Sequence, residues 1–349
     1  MPTSQEIIPL SRACLPCFWG VDVGGTNIKI GLVDDVGQTL AFEEIETHEP
    51  DGPQQAVDRI ALTCRQLAER CGVAAEQIKR LGLGTPGTMD IPRGLFVEPP
   101  NLPHWFHFPI RDRVSQACGL PVSFINDANA ASFGEFWVGK GAKVDSLILL
   151  TLGTGVGGGI IVDGHLINGV NSFGSECGHV IVDSHPDARL CVWGGGRGQL
   201  EAYASASAVA QRAQEGLRAG AVSSLTRLAM AGKAVTAKRI YEAAEGGDQY
   251  ALSLIDEAAY YLGIGITTLV HTIDPGLVVL GGAMNFGGTQ SPVGRRFLDK
   301  IRQTFAERTF PNVLAGTTID FATLGGDAGY IGAAGFARKQ FMLETSRTT

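Results

Sequence analysis

"FWGVDVGGTNIKIGLVDDVGQTL", residues 18–40, decides how this chain folds. An apolar run closes on Asp22, turns through Gly24 and Gly25, and returns as "IKIGLVDD" (28–35). A third run follows in "TLAFEEIET" (39–47). Short apolar runs punctuated by glycine read as strands joined by tight turns. The pattern recurs in "LILLTLGTGVGGGIIVDGHLI" (147–167), with Thr151 standing where Asp22 stood. The chain therefore reads as two related α/β halves packed face to face with a cleft between them. Val57, Ile60, Cys64, Leu67 and Cys71 recur at three and four residues, which makes one apolar helical face and puts both cysteines in a core. "RLGLG" (80–84) and "PVSFI" (121–125) read as short buried strands. A long helix is predicted from near Asp248, then a strand in "GLVVLGG" (276–282). "TIDFATL" (318–324) reads as the final strand and "DAGYIGAAGFARKQFML" (327–343) as the final helix. Residues 1–17 read as a loose leader.

The bulk composition agrees with this plan. A chain of 349 residues suggests about two domains at roughly 150 residues each. Apolar residues make up 44%, enough for a sizeable core. The 47 glycines follow no collagen-like period, so many are expected at tight turns or against a ligand. A net charge of −7 argues against non-specific binding to nucleic acid or to anionic membranes. Seven scattered cysteines do not read as a disulfide framework. "FWGVDVGG" is too short and too glycine-broken for a signal peptide or a membrane span. A reduced, soluble, cytoplasmic protein is expected. Cys14 and Cys17 form a lone CxxC in the leader; it does not open a helix, so no redox role is expected of it.

Three glycine turns stand at strand ends. In "DVGGTN" (22–27), Gly24 and Gly25 let backbone N–H groups approach a phosphate without Cβ interference. Thr26 and Asn27 add side-chain donors, and Asp22 offers a carboxylate to hydrated Mg²⁺. An ordinary hairpin has the same composition. "TLGTGVGGG" (151–159), with Gly153, Thr154 and Gly155, is a second such turn. It lacks GKS or GKT and lies between strands, so it is neither a P-loop nor a dinucleotide fingerprint. Gly281 and Gly282 in "VLGGAM" form a third, beyond the strand end where ligands of α/β sheets bind. "FINDANAASFGE" (124–135) sets Asn126 and Asp127 between a buried run and an alanine-rich helix. Asp127 there either caps the helix or takes a proton from a substrate.

Together these segments resemble the ROK family of sugar kinases. The matching stretches are "DVGGTNIKIGLVD", "GLGTPGTMD", "EPPNLPHW", "INDANAASFGE", "LTLGTGVGGGII", "SECGHV", "GQLEAYAS", "DPGLVVLGG" and "LGGDAGYIGAA", in the family's order from about residue 18 to 335. "EPPNLPHW" and "LEAYAS" resemble the bacterial glucokinase branch most. The resemblance implies an α/β fold of the duplicated actin/hexokinase-like (ribonuclease H-like) ATPase type, two domains flanking a cleft. A small N-terminal domain of residues 18–126 plus 327–349 and a large one of 127–326 are expected. It implies ATP- and Mg²⁺-dependent phosphorylation of a hexose at the C6 hydroxyl, glucose first, in a homodimer. Asp127 is then the general base, accepting the C6 hydroxyl proton as oxygen attacks the γ-phosphorus. Asn101, Asn126, Glu176, His179 and Glu201 are implied as ligands of sugar hydroxyls, with Gly87 and Thr88 lining the same pocket. Without the resemblance, Glu201 reads as a solvated helix residue and His179 as a satisfied buried histidine.

The chain departs from the family in one place. Many members carry CxCGxxGC shortly before the glutamate matching Glu201, and those cysteines bind structural zinc with the histidine of the GH pair. Here the sequence is "CVWGGGRGQLE" (191–201), with Val192, Gly194 and Gln199 at the cysteine positions and Cys191 one residue out of register. Structural zinc takes four N or S ligands. Only His179, Cys191 and, poorly, Cys177 are available, so no zinc is expected. Other readings are an N-acylhexosamine kinase, a ROK-type repressor and a non-catalytic sugar-binding relic. The repressor needs a helix-turn-helix before the first hairpin, where only about 17 residues stand, and a charge suited to DNA. The relic conflicts with the retained Asp22, Asp127 and glycine hairpins.

Overall fold

The computed structural model describes residues 6–99, 101–192 and 195–348. The first sheet draws on β1 (Cys17–Val23), β2 (Asn27–Val33), β3 (Thr39–Glu46) and β4 (Ile78–Thr85). A small ribbon follows, β5 (Met89–Asp90) with β6 (Leu95–Phe96), and then β7 (Val122–Asn126) completes the sheet. Its strand order is β3–β2–β1–β4–β7. β1, β2 and β3 are antiparallel neighbours, while β4 runs parallel to β1 and β7 parallel to β4. The second set is β8 (Leu147–Leu152), β9 (Val156–Val162), β10 (His165–Leu166), β11 (Leu277–Gly281) and β12 (Thr318–Phe321). Its order is β10–β9–β8–β11–β12, with β11 parallel to both β8 and β12. The two orders correspond strand for strand, as the repeated sequence pattern requires.

β1 is buried on both faces, which its near-continuous apolar run anticipates. Trp19, Val21 and Val23 share a core with Val57, Ile60 and Leu67 of the helix Pro53–Cys71. Cys64 is buried there and Cys71 is half-buried at its edge. Phe18, on the opposite face, packs with Tyr330, Ile331 and Ala334 of the last helix, Ala328–Thr348. That helix lies on the sheet at backbone distance. A Cβ on Gly20 would come 1.8 Å from the Tyr330 carbonyl oxygen, and one on Gly82 equally close to that of Ala333. Overpacking of this kind costs about 1–3 kcal/mol, so Gly20→Ala is expected to lower the chemical-denaturation midpoint correspondingly. A midpoint at the wild-type value would show that the helix does not rest on β1.

The segment before β1 is docked rather than loose. Ile8 is buried, and its N–H donates to the Thr39 carbonyl at 2.9 Å. Cys17 is the first residue of β1, and burial pushes its thiol up to about 12. Packing divides the chain into two compact units. The first holds residues up to Val144, Gly159–Ser175 and residues from Thr323 onward; the second holds Asp145–Gly158 and Glu176–Ala322. The helix Asp127–Trp137 thus groups with the first unit, whereas the sequence reading opens the large domain at Asp127. Glycine explains the grouping: a Cβ on Gly332 would meet the Ala130 carbonyl at 1.7 Å, so the last helix and this one touch through their backbones. Among the described residues no helix is long and apolar enough to cross a membrane.

Candidate active site

In the first unit, β7 runs directly into the helix Asp127–Trp137. Asn126, not Asp127, caps that helix: its Oδ1 accepts from the N–H of Ala128 at 2.9 Å and of Asn129 at 3.3 Å. The capping role considered for Asp127 is corrected accordingly. Two adjacent residues had suitable side chains, and the extended backbone at Asn126 (φ −68°, ψ 148°) gives it the cap geometry. Asp127 is the first helical residue, half-buried, with Oδ1 accepting from Ala128 N–H at 2.7 Å. The registers Asp22↔Gly84 and Thr85↔Asn126 set the carboxyl ends of β1, β4 and β7 side by side. Asp22, Thr85 and the Asn126–Asp127 pair therefore share one edge, the usual ligand edge of such sheets.

Asp22 is half-buried beneath the start of the last helix. A Cβ on Gly329 would fall 2.2 Å from Asp22 Oδ2, so glycine is what admits the carboxylate. Lys29 is its cross-strand partner, and Lys29 Nζ donates to the Gly326 carbonyl at 2.5 Å. Burial pushes the Asp22 carboxyl up from 3.8 to about 6, and Lys29 pulls against it. A raised carboxylate pKa means that the folded chain holds this proton more tightly. The ionised form is therefore a growing cost as pH rises from 3.8 through 6. Asp22→Asn is expected to melt above wild type at pH 7.5, by more than it does at pH 5. The gap should widen by on the order of 1 kcal/mol. A variant less stable than wild type at pH 7.5 would contradict this.

The first glycine turn is pinned by its carbonyls. Gly24 N–H donates to Asn27 O at 2.8 Å, Thr47 N–H to Thr26 O at 2.8 Å, and Thr47 Oγ1 to Gly24 O at 2.7 Å. The Asn27 carboxamide is engaged too, with Nδ2 donating to Glu44 Oε1 at 2.6 Å. Asn101 packs against the turn; a Cβ on Gly25 would lie 3.2 Å from Asn101 Cβ. Gly87 takes φ 81°, and Thr88 Oγ1 accepts from Glu98 N–H at 2.9 Å.

The second unit repeats the device. The carbonyls of Leu152, Gly153 and Gly155 accept from the N–H groups of Met284, Ala206 and Gly153 at 2.9, 2.8 and 3.0 Å. Turning carbonyls into the protein keeps their negative ends away from an anion. Ala206 opens the helix Ala206–Arg218, capped by Ser205, and so adds a helix N-terminus beside Gly153. Gly281 pairs with Thr151, and Gly282 lies flat on the turn, where a Cβ would sit 2.3 Å from Leu152 O. The second and third glycine motifs thus form one feature. A cavity of about 510 Å³ opens from it, lined by Gly153 and Thr154 and by Tyr241, Met284, Asn285 and Phe286. The Tyr241 and Phe286 rings stand 6.4 Å apart, and Phe286 is braced edge-on by Phe297 at 4.9 Å. Sequence reasoning missed these wall residues, because Tyr241 lies on the helix Ala237–Glu245 and Met284–Phe286 follow β11 outside any helix or strand, with no motif joining them. A cavity of about 500 Å³ elsewhere in this unit, at Arg218, Met230 and Lys233, is lined by one turn glycine, Gly232, and by none of the glycines of the three motifs.

Glu176, His179 and Glu201 also converge in the second unit. His179 Nε2 lies 3.8 Å from the Glu176 carboxylate, and His179 Nδ1 bonds Gln199 Oε1 at 3.1 Å. Burial pushes the Glu176 carboxyl up; His179 pulls against this and Glu201 adds to it. Glu201 is buried rather than solvated, and its Oε2 accepts from Val156 N–H at 2.8 Å. His179 is exposed rather than buried. Gln199 and Val192 stand where the resemblance places thiolates, and Gly194 lies outside the described residues. Among the described residues no three His, Cys, Asp or Glu side chains form a cluster able to hold a metal ion.

The geometry can be set beside proteins that the chain resembles. A glucokinase of Halalkalibacterium halodurans is 36% identical over 93% of this chain and 95% of its own length. The crystal structure of a ROK family glucokinase from Streptomyces griseus, in complex with glucose and AMPPNP, is 34% identical. It superimposes with a TM-score of 0.71, covering 93% of this chain and 99% of that one. A ROK hexokinase from Thermus thermophilus is 30% identical with a TM-score of 0.79, covering 95% and 99%. Their folds are actin/hexokinase-like, and so is this one. The ROK family model matches residues 18–340, and the chain belongs to the ROK family.

Proposed function

We propose that this protein is a glucokinase, transferring the γ-phosphoryl group of ATP to the C6 hydroxyl of glucose. The cavity that opens from the second glycine turn carries this reading. It offers bound-back carbonyls and a helix N-terminus for phosphate and aromatic walls for a base. The choice of glucose rests on glucokinases at 34–36% identity over nearly the whole chain.

In the first unit, Asp127 takes the C6 hydroxyl proton as that oxygen bonds to phosphorus; the bond to the β-phosphate oxygen breaks and ADP leaves. Positioning and charge neutralisation supply most of the catalysis in such transfers. Gly24, Gly25, Thr26 and Asn27 face phosphate; Asn101 and Asn126 bind sugar hydroxyls, and Gly87 and Thr88 line that pocket. In the second unit, Gly153, Thr154, Gly155, Gly281 and Gly282 serve ATP, and Glu176, His179 and Glu201 serve the sugar. Mg²⁺ prefers one or two carboxylates, several waters and phosphate oxygens. Asp22, a single carboxylate at a phosphate turn, fits that donor set and would hold the hydrated ion. When bound, the ion neutralises phosphate charge. A structural zinc does not fit, since the Gln199 carboxamide and Val192 replace thiolates. The protein is read as a cytoplasmic homodimer.

A coupled ADP-release assay over glucose, N-acetylglucosamine, N-acetylmannosamine, fructose and allose tests this. Glucose should give the highest kcat/KM, with phosphorus at C6 in the product spectrum. A preferred N-acylhexosamine would reassign the substrate, and ADP release with no sugar in the panel would remove the reading.

A further inference from the structure

We infer that Cys191 is a positioning residue of the hexose site, whose thiol holds the Glu201 carboxylate in place and so ties it to the second glycine turn; this rests on Glu201 being a hexose ligand. Cys191 is 2% exposed and packs with Ala202 and Tyr203, while its neighbours Leu190 and Val192 are 56% and 44% exposed. The alternation follows from the backbone. Leu190 and Arg197 form an isolated antiparallel bridge, and Cys191 N–H donates to Gly196 O at 3.3 Å, which turns this one side chain inward.

The thiol donates to Glu201 Oε1 at 3.2 Å. The other oxygen, Oε2, accepts from Val156 N–H at 2.8 Å. The carboxylate is thus gripped at both ends, and rotation about its last bond would break both contacts. Each carboxylate oxygen has two lone pairs, so each keeps one acceptor site for a sugar hydroxyl. Val156 directly follows Gly153–Gly155. From the other side, a Cβ on Gly178 would fall 2.1 Å from the Val156 carbonyl oxygen. The segment bearing Glu176 and His179 therefore rests on the same residue that Glu201 holds. A thiol is a weak donor in water. At 2% exposure the Cys191 thiol has little water to donate to in place of Glu201.

The test compares Cys191→Ala, which deletes the donor, with Cys191→Ser, which keeps one. Glucose affinity is measured by calorimetry without nucleotide, and KM for glucose and for MgATP in the coupled assay. Removing one partner of a buried charged group should raise the glucose Kd and KM about five- to fifty-fold in Cys191→Ala, with KM for MgATP within about twofold. Cys191→Ser should return the glucose values to within about threefold of wild type. If Cys191→Ala does not purify folded, Cys191→Val replaces it under the same criteria. A donor-deleted variant with wild-type glucose affinity overturns the inference, and so does a Ser variant as impaired as the Ala one. Wild-type protein that neither binds nor phosphorylates a hexose removes the kinase reading itself. Wild-type protein active on glucose alongside an unaffected Cys191→Ala removes only the role of Cys191.

Discussion

Asp127→Asn is expected to lower turnover by about 10²–10⁴-fold, the range in which a positioned base contributes. Glucose and MgATP affinities by calorimetry should stay within about threefold of wild type, because an asparagine keeps the size and hydrogen-bonding reach of the aspartate. The structure makes this a clean experiment. Asn126 caps the helix, accepting from Ala128 and Asn129, so the cap does not rest on residue 127. An asparagine at 127 can still accept from Ala128 N–H through its carbonyl oxygen, as Asp127 Oδ1 does at 2.7 Å. The melting temperature should therefore be unchanged, and lost turnover would report proton transfer rather than folding. Residual turnover above about a tenth of wild type would show that Asp127 is not the base. The neighbouring change Asn126→Ala should behave differently, lowering stability by about 1 kcal/mol through loss of the cap.

This pair of residues shows which parts of the chain its sequence makes legible. The duplication could be read because each copy writes the same local chemistry twice: an apolar run, a glycine turn, an apolar return. Strand period and turn composition are local, and both sheets follow from them. Which of Asn126 and Asp127 caps the helix is not local. Both side chains suit the position, and the choice depends on where β7 ends against β4. The same holds for Glu201. Exposed glutamate is the default for a helix residue, and its burial follows from Val156 and Cys191, 45 and 10 residues away. The walls of the second-unit cavity were hidden for a third reason. No motif joins Tyr241 and Phe286 in sequence, and only the fold leaves a space beside them. Gln199 was visible as a missing cysteine, but its bond to His179 belongs to the loop's geometry.

Glu135, the last residue of "FINDANAASFGE", illustrates the same limit with a larger consequence for stability. No motif marks it, yet it is completely buried. Its Oε1 accepts from the N–H groups of Thr323 and Leu324, both at 2.7 Å. Its Oε2 accepts from Lys140 N–H at 2.8 Å and from Thr323 Oγ1 at 3.0 Å. One carboxylate thus satisfies both ends of a problem: the chain leaving the helix Asp127–Trp137 and the turn that leads into the last helix. Glu135→Ala would leave three backbone donors and a hydroxyl without this acceptor; Leu324 is buried, whereas Thr323 and Lys140 are exposed and water can serve part of the loss. A buried group left unsatisfied costs about 1–3 kcal/mol, so with the exposed donors partly served by water a total loss of about 2–4 kcal/mol is expected. Glu135→Gln keeps the volume but turns an amide NH₂ toward donors on one side, so it should recover less than half of the loss. The check is urea denaturation of the three proteins followed by far-ultraviolet circular dichroism. An early transition in Glu135→Ala, with glucose phosphorylation retained in the folded fraction at low temperature, would place the residue in the scaffold. A midpoint equal to wild type would mean that water enters behind the helix and serves the same donors, and the anchoring role would have to be abandoned.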